Sequence, residues 1–393
     1  MASLKKAVLF LLVFTLLSSF FAVPSHAEPV TAEIGAVISL PNVSAKSAVL
    51  LEAESGALVY EKNANERLPM ASTTKIMTAI VALALAAPET VITVDASAVG
   101  TEGSSIYLTE GEQLTLEQLL YALLLESAND AAVAIAVGLS GSLEAFVEQM
   151  NAQAQALGLL STQFQNPHGL DDEAHATTAS ELATVARYAL QNELLQAITS
   201  TRKTTIPHAG TEGVRLLVNH NKLLRTYEGC IGVKTGYTSK SGRCLVSAAE
   251  RDGVTLIAVT LDAPDDWNDH TKLLDYGFSK YSSVSLCGAN ELQVSLPLVG
   301  GTDAYVMLSN RAELRAVLPS AHGTVRREIR TRRFEHAGVH ADEILGSVVF
   351  FCDTNGDGVE ECIGELPLHA LYSVPRVQAK KGFWRWLCSL IGL

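Results

Sequence analysis

Basic residues are scarce in this chain: 29 Lys and Arg stand against 42 Asp and Glu, for a formal net charge of −13. A surface that acidic repels phosphate backbones, which argues against a general nucleic-acid role, and no nucleic-acid partner is expected. Cysteine is scarce too: six in 393 residues are too few for a disulfide scaffold. Cys230/Cys244 and Cys352/Cys362 flank expected turns and fit either cross-strand disulfides or free thiols. A long apolar run is lacking everywhere except near the N-terminus, so no bilayer span is expected in the rest of the chain. That one run, Val8 to Val23, follows Lys5 and Lys6 and precedes Ser25-His26-Ala27, the layout of a signal peptide over residues 1–27. Its removal takes two lysines and no acid, moving the net charge from −13 to −15. The expectation is an exported protein, soluble or peripheral.

What the chain does have is apolar content, 48% of its residues, enough to bury a sizeable core and to form two domains. Residues 28–283 mix helical and strand patterns. "SAVLLEAESGALVYEKN" (47–63) reads as a hairpin turning at Glu54-Ser55-Gly56. "LPMASTTKIMTAIVALALAAP" (68–88) reads as an apolar helix stopped by Pro88, and 114–139 as two apolar helices broken near Ser127-Ala128-Asn129-Asp130. Residues 177–191 make an amphipathic helix with Ser180 as its cap, 229–262 three strands, and 268–281 a closing helix. Helices with antiparallel strands in one unit imply an α+β sandwich, a sheet covered by helices. Residues 284–375 break into short strands such as "ELQVSLPLV" and "GSVVFFC", a small all-β domain. Residues 376–393 carry four basic residues and no acid. On a helical wheel Phe383, Trp384, Leu387, Leu390 and Ile391 share one face and Lys381, Arg385 and Ser389 the other, the pattern of a helix lying in a membrane interface.

The chemistry centres on a lone lysine. In residues 68–88 Lys75 is the only charged residue, and its neighbours are Ile76, Met77 and Ile80. Burying an ammonium is costly unless it is paired or neutralised. Ser72 lies three residues earlier, on the same helical face. A desolvated lysine loses pKa, and a neutral amine beside a hydroxyl is a general base beside a nucleophile. Ser-x-x-Lys alone says little, since it recurs as Ser3/Lys6 and Ser200/Lys203. Its company says more. Ser127-Ala128-Asn129 falls at a helix break that exposes polar side chains, and Lys234-Thr235-Gly236 falls in a strand where Gly236 lets a ligand backbone approach closely.

Taken in this order, Ser72-Thr73-Thr74-Lys75, Ser127-Ala128-Asn129 and Lys234-Thr235-Gly236 resemble the three motifs of penicillin-recognising serine enzymes. The S-A-N form of the second motif, "NPHGLDD" (166–172) and "GVKTGYT" look like the serine D-Ala-D-Ala carboxypeptidases, the low-molecular-weight penicillin-binding proteins. The resemblance implies a catalytic domain, a β-rich second domain and a C-terminal amphipathic membrane helix. It implies that Ser72 attacks the carbonyl between the two terminal D-alanines of a peptidoglycan stem peptide, that Lys75 takes its proton, and that Ser127 relays a proton to the leaving D-alanine. Asn129 would hold the substrate amide, Lys234 and Thr235 the terminal carboxylate, and the N–H groups of Ser72 and Tyr237 the oxyanion. No cofactor or metal is implied, and β-lactams would act as inhibitors that trap Ser72. The enzyme would work at the outer face of the cytoplasmic membrane.

Other readings share some of these residues. Class A β-lactamases also carry S-x-x-K and K-T-G, but usually with S-D-N and an E-x-x-L-N motif that this chain lacks. A zinc peptidase would use His168 and His175, or His336 and His340, as ligands. "DTNGDGVEE" (353–361) begins like a calcium loop but has Gly364 where the twelfth position wants glutamate, so a hairpin turn explains it better. A non-catalytic wall-binding module would have no need of a lysine buried near a serine.

Overall fold

Glu54-Ser55-Gly56 turns the chain as expected, between β1 (Ser47–Glu52) and β2 (Leu58–Lys62). Gly56 takes the positive φ of 77° that the turn needs, and the Glu52 carboxylate accepts the N–H groups of Glu54 and Ser55 at 2.8 and 2.7 Å. The computed structural model describes residues 40–208, 213–377, 382 and 388–390. The expected signal peptide lies outside them, as does most of the expected tail helix.

The apolar segment after Pro69 begins with a tight 3-10 turn, Ala71–Thr74, and continues as α1 (Lys75–Leu85), whose first eight residues are all buried. Next come a short hairpin, β3 (Val91–Thr93) with β4 (Gln113–Thr115), and α2 (Leu116–Leu125). Thr115 and Gln118 close a reciprocal capping box at the start of α2. The expected break at 127–130 separates α2 from α3 (Asn129–Ser140). Then follow α4 (Leu143–Ala156), α5 (Ala179–Ala189) and α6 (Glu193–Ser200). The cap of α5 is Thr178, whose hydroxyl accepts the Glu181 N–H at 3.1 Å, and not Ser180. Thr178 holds the extended backbone a cap requires (φ −116°, ψ 158°), while Ser180 is already helical.

A second hairpin, β5 (Lys203–Pro207) with β6 (Val214–Val218), leads to β7 (Cys230–Thr238), β8 (Gly242–Arg251) and β9 (Val254–Leu261). These three complete an antiparallel five-stranded sheet in the order β2-β1-β9-β8-β7. One face packs the core of α1 to α6; the other is covered by α7 (Asp266–Lys280) through Leu273 and Leu274. Both faces being buried explains why β8 and β9 read as continuous apolar runs. The helix-covered antiparallel sheet is the architecture expected. β7 forms the sheet's edge and passes the start of α1.

β10 (Tyr281–Cys287) begins the all-β part, so the expected boundary at 283/284 falls inside a strand. β11 (Val294–Val299), β12 (Tyr305–Ser309), β13 (Leu314–Pro319), β14 (Arg326–Thr331), β15 (Glu335–His336), β16 (Ile344–Cys352) and β17 (Glu361–Ala370) follow. Six of them form a sheet in the order β14-β16-β17-β12-β11-β15 around Leu296, Leu308, Val348, Phe350 and Leu368, while β10 pairs with β13. All six cysteines are free thiols. Cys230 stands opposite Ala249 and Cys244 opposite Gly236, so that pair does not meet across the ladder. "DTNGDGVEE" joins β16 to β17 as a turn, with the Asp353 carboxylate accepting the N–H groups of Gly356 and Gly358 at 2.7 and 2.9 Å.

Candidate active site

Ser72 sits in the 3-10 turn just before α1, half-buried, with Ala71 ahead of it at a positive φ of 46°. The turn is held by hydroxyls at its own end: Thr73 donates to the Met70 carbonyl at 2.5 Å and Thr74 to the Ala71 carbonyl at 2.7 Å. One turn on, Lys75 is completely buried. Its Nζ donates to Ser72 Oγ at 2.9 Å, Asn129 Oδ1 at 2.6 Å and the His168 carbonyl at 2.5 Å. Burial drives its pKa well below the ordinary lysine value. The charge of Lys234 pushes it the same way, and Asp130 opposes both.

The partner set fits the neutral amine. An uncharged Nζ has two N–H groups and one lone pair. The His168 carbonyl can only accept, and Asn129 Oδ1 can only accept because its Nδ2 donates to the Glu102 carbonyl at 2.6 Å. An ammonium donates to all three, whereas in the neutral amine both N–H groups are spent on these two and the lone pair is left for Ser72 Oγ at 2.9 Å. The same contact then has the hydroxyl donating to the amine, the arrangement from which a base takes a proton.

Ser127 lies at the break between α2 and α3 with a positive φ of 61° and is buried. Asn129 starts α3, its own N–H donating to the Ser104 carbonyl at 2.7 Å. With Oδ1 given to Lys75 and one Nδ2 hydrogen to Glu102, a single Nδ2 hydrogen remains for a substrate carbonyl.

On β7, Lys234 is buried and its Nζ donates to the Thr235 carbonyl at 2.9 Å; burial lowers its pKa to about 7. Thr235 is partly exposed and Tyr237 largely so. Gly236 does more than admit a ligand. A Cβ there would lie 3.0 Å from Ser72 N and 3.2 Å from the Met70 carbonyl, so the missing side chain is what lets β7 close against the Ser72 turn. The three motifs, scattered from Ser72 to Gly236 along the chain, converge here. The two decoys do not: Ser200 ends α6 and Lys203 lies exposed on β5, while Ser3/Lys6 falls outside the described residues.

Several site residues escaped the sequence reading. Asp130 is buried and accepts from Ser105 Oγ at 2.6 Å and the Leu108 N–H at 3.0 Å, binding the 101–111 loop to the start of α3. "NPHGLDD" is the loop that supplies the His168 carbonyl. Thr78 of α1 donates to the Pro167 carbonyl at 2.6 Å, and Thr238 of β7 donates to Asp171 at 2.8 Å, so the loop bridges helix and strand. Gly169, at φ 92°, lies so close to Ala71 that any Cβ would collide with its carbonyl. His175 accepts the Gln165 N–H at Nδ1 (3.0 Å) and therefore donates from Nε2 to Thr74 (2.7 Å), under the Ser72 turn. Burial first, then neighbouring charges, hold His168 at about 3; His175 lies at about 4, where burial outweighs the opposing pull of Asp172 and Asp171. Both rings are neutral supports here. His336 and His340 are exposed in the all-β part.

A family model described as D-alanyl-D-alanine carboxypeptidase matches residues 35–265, which hold all three motifs. The chain belongs to the D-alanyl-D-alanine carboxypeptidase family. It is 34% identical over 358 residues to D-alanyl-D-alanine carboxypeptidase DacF of Bacillus subtilis, covering 88% of this chain and 89% of that protein. With DacA of Escherichia coli it shares 29% over 380 residues, 92% and 91% of the two chains. Among solved structures, penicillin binding protein 5 of Haemophilus influenzae superposes with a TM-score of 0.62 at 26% identity, covering 86% of this chain and 99% of that one. The Streptomyces K15 DD-transpeptidase gives 0.59 at 32% identity over 61% of this chain and 99% of its own. The first pair of likenesses runs through the all-β part as well as the family domain. The carboxypeptidase resemblance read from the motifs therefore holds, as does the fold it implied for the catalytic and β-rich parts.

Proposed function

We propose that Ser72 is the nucleophile with which this serine D-Ala-D-Ala carboxypeptidase removes the terminal D-alanine from peptidoglycan stem pentapeptides. One observation carries the reading: the Nζ of a wholly buried lysine lies 2.9 Å from a half-buried serine hydroxyl, with its remaining hydrogens committed elsewhere. Ser72 Oγ attacks the carbonyl carbon between the two D-alanines as its proton passes to neutral Lys75. The oxyanion is held by the N–H groups of Ser72 and Tyr237, a reading supported by the close approach of Gly236, next to Tyr237, to the Ser72 nitrogen. Ser127 passes a proton to the leaving amine, the C–N bond breaks, and D-alanine departs. Water then cleaves the ester and restores Ser72. Lys234 and Thr235 bind the substrate's free carboxylate, and the spare Asn129 hydrogen binds its amide carbonyl. A β-lactam presents the same carbonyl and carboxylate and acylates Ser72.

The proposal includes place. Residues 1–27 direct export, and residues 376–393 lay an amphipathic helix on the outer face of the cytoplasmic membrane. Among the described residues no single helix is long and apolar enough to cross a bilayer.

The test is fluorescent penicillin labelling of wild type and Ser72→Ala, with D-alanine release from a pentapeptide ending in D-Ala-D-Ala. Labelling and release by wild type, both lost in Ser72→Ala, are expected. Equal labelling of the variant removes Ser72 from the mechanism, and rapid β-lactam turnover without D-alanine release assigns the site to β-lactam hydrolysis.

A further inference from the structure

The acidic chain concentrates positive charge in one place that the catalytic reading does not use. Residues 326–333, "RREIRTRR", hold five arginines and one glutamate. They form β14, an edge strand exposed along its whole length, and the bend that follows it. Edge strands are commonly protected by charge, but a lysine or two suffices for that. Here the charge runs into an apolar surface. Phe334, next in sequence, is 51% exposed and packs edge-on against His336. His336 pairs with Val299, itself half-exposed, and the Gly300 carbonyl accepts the N–H of Val377, another exposed apolar residue. Ile344, 60% exposed, shares a groove with Arg330 and Arg332. Of the acids at this rim, Glu335 is paired with Arg332 at 2.6 Å and Glu328 with Arg330 at 2.9 Å, Glu343 lines the groove, and Arg333 has no partner among the described residues.

We propose that this end of the all-β part is itself a membrane-docking face for a bilayer containing anionic lipid: Arg330, Arg332 and Arg333 meet headgroup phosphates while Phe334, Val299 and Val377 enter the interface. Arginine beside exposed aromatic and aliphatic side chains matches the two layers of an interface, phosphate outside and acyl chain beneath. Position on the chain favours a lipid surface over a soluble polyanion. Val377 is where the chain passes from this face into residues 378–393, which add Lys380, Lys381 and Arg385 and no acid. The segment that leaves this face is therefore basic in sequence as well. The inference rests on the membrane reading of that tail and extends it: two adjoining contacts fix the orientation of the enzyme on the surface, where a single helix only tethers it.

The experiment uses the mature full chain and vesicles of phosphatidylcholine with or without phosphatidylglycerol. Four proteins are compared: wild type, Arg332→Ser/Arg333→Ser, Phe334→Ser, and a tail variant Trp384→Ser/Trp386→Ser, each checked by penicillin labelling for an intact catalytic domain. An arginine at an anionic surface accounts for about fivefold in affinity, so the arginine variant is expected to lose ~25-fold on phosphatidylglycerol vesicles and little on phosphatidylcholine alone. Phe334→Ser is expected to weaken binding to both. An arginine variant that binds like wild type overturns the docking face and leaves the tail reading standing. A tail variant that binds like wild type overturns the tail reading instead. Arginine-dependent binding to soluble polyphosphate, with vesicle binding unchanged by the substitutions, overturns the lipid as partner.

Discussion

Gly236 on β7 stands directly over the amide of Ser72: a Cβ at that position would lie 3.0 Å from the nitrogen and 3.1 Å from Ala71 Cβ. Strand and nucleophile turn are therefore packed at the limit a bare backbone allows. Gly236→Ala must push β7 away from Ser72 while leaving Ser72 and Lys75 in place. A displacement of about 1 Å costs on the order of 10² in rate, and the few tenths of an ångström needed here about tenfold. The expected outcome is a drop of that order in β-lactam acylation, with thermal stability little changed, followed by stopped-flow labelling beside a melting curve.

Gly169 makes the complementary contact from the loop. Its φ of 92° and its closeness to the Ala71 carbonyl leave no room for a side chain. Gly169→Ala adds backbone strain and a backbone collision together, so about 2–4 kcal/mol of stability is expected to be lost, along with labelling of Ser72. Urea unfolding of wild type and variant measures the first, penicillin uptake the second.

Asn129→Asp tests the protonation state of Lys75. The substitution places a carboxylate where Oδ1 lies 2.6 Å from Nζ. An adjacent negative charge favours the ammonium, raising the lysine pKa. Because the amine is the active form, the acid limb of the acylation rate profile is expected to move to higher pH. A profile that stays in place removes Lys75 as the base. Lys75→Arg, which cannot shed its proton, is expected to lose about 10²–10⁴ of the rate.

Lys234 supplies the opposite limb. Its pKa is lowered to about 7 by burial, so in the free enzyme its charge is present below that value and fades above it. A substrate bound through its carboxylate needs the charge. kcat/KM for D-alanine release is thus expected to fall as pH rises through about 7, while kcat, measured with the carboxylate already bound beside Nζ, falls at higher pH. Steady-state kinetics across pH separate the two.

Acid should destabilise the fold through its neutral histidines. His168, His175 and His270 are held at about 3, 4 and 3 against an ordinary 6.5. Between those values the unfolded chain binds protons that the folded one refuses, so stability is full above 6.5 and is lost as pH falls. His270 is tied between Ser247 and Thr260 at 2.5 and 2.9 Å on the far side of the sheet from the catalytic residues. His270→Gln is expected to flatten the slope of stability against pH by about a third without altering the pH profile of acylation. Urea midpoints across that range check it.

Much of this was legible in the residues, for reasons that differ from element to element. The 47–62 hairpin, the α2–α3 break and the three strands of 230–261 follow from local period and turn chemistry, which a sequence displays directly. Ser180 was misread as a cap because a cap is defined by backbone angles, and Thr178, two residues earlier, holds the extended conformation. Asp130 was named only as part of the break between two apolar helices. Only the folded loop shows it receiving the hydroxyl of Ser105 and the amide of Leu108.

The sequence alone determined which chemistry was on offer: a serine and lysine three residues apart in an apolar helix, a serine at a helix break, a lysine and glycine on a strand. Those are matters of residue type and short spacing. Tertiary structure decided that they come together in one place and that the lysine is buried there. Nζ finds Asn129 and the His168 carbonyl 54 and 93 residues away, and its pKa falls because packing from the whole helical layer excludes water. Burial and long-range partners set a protonation state, and no local pattern encodes either.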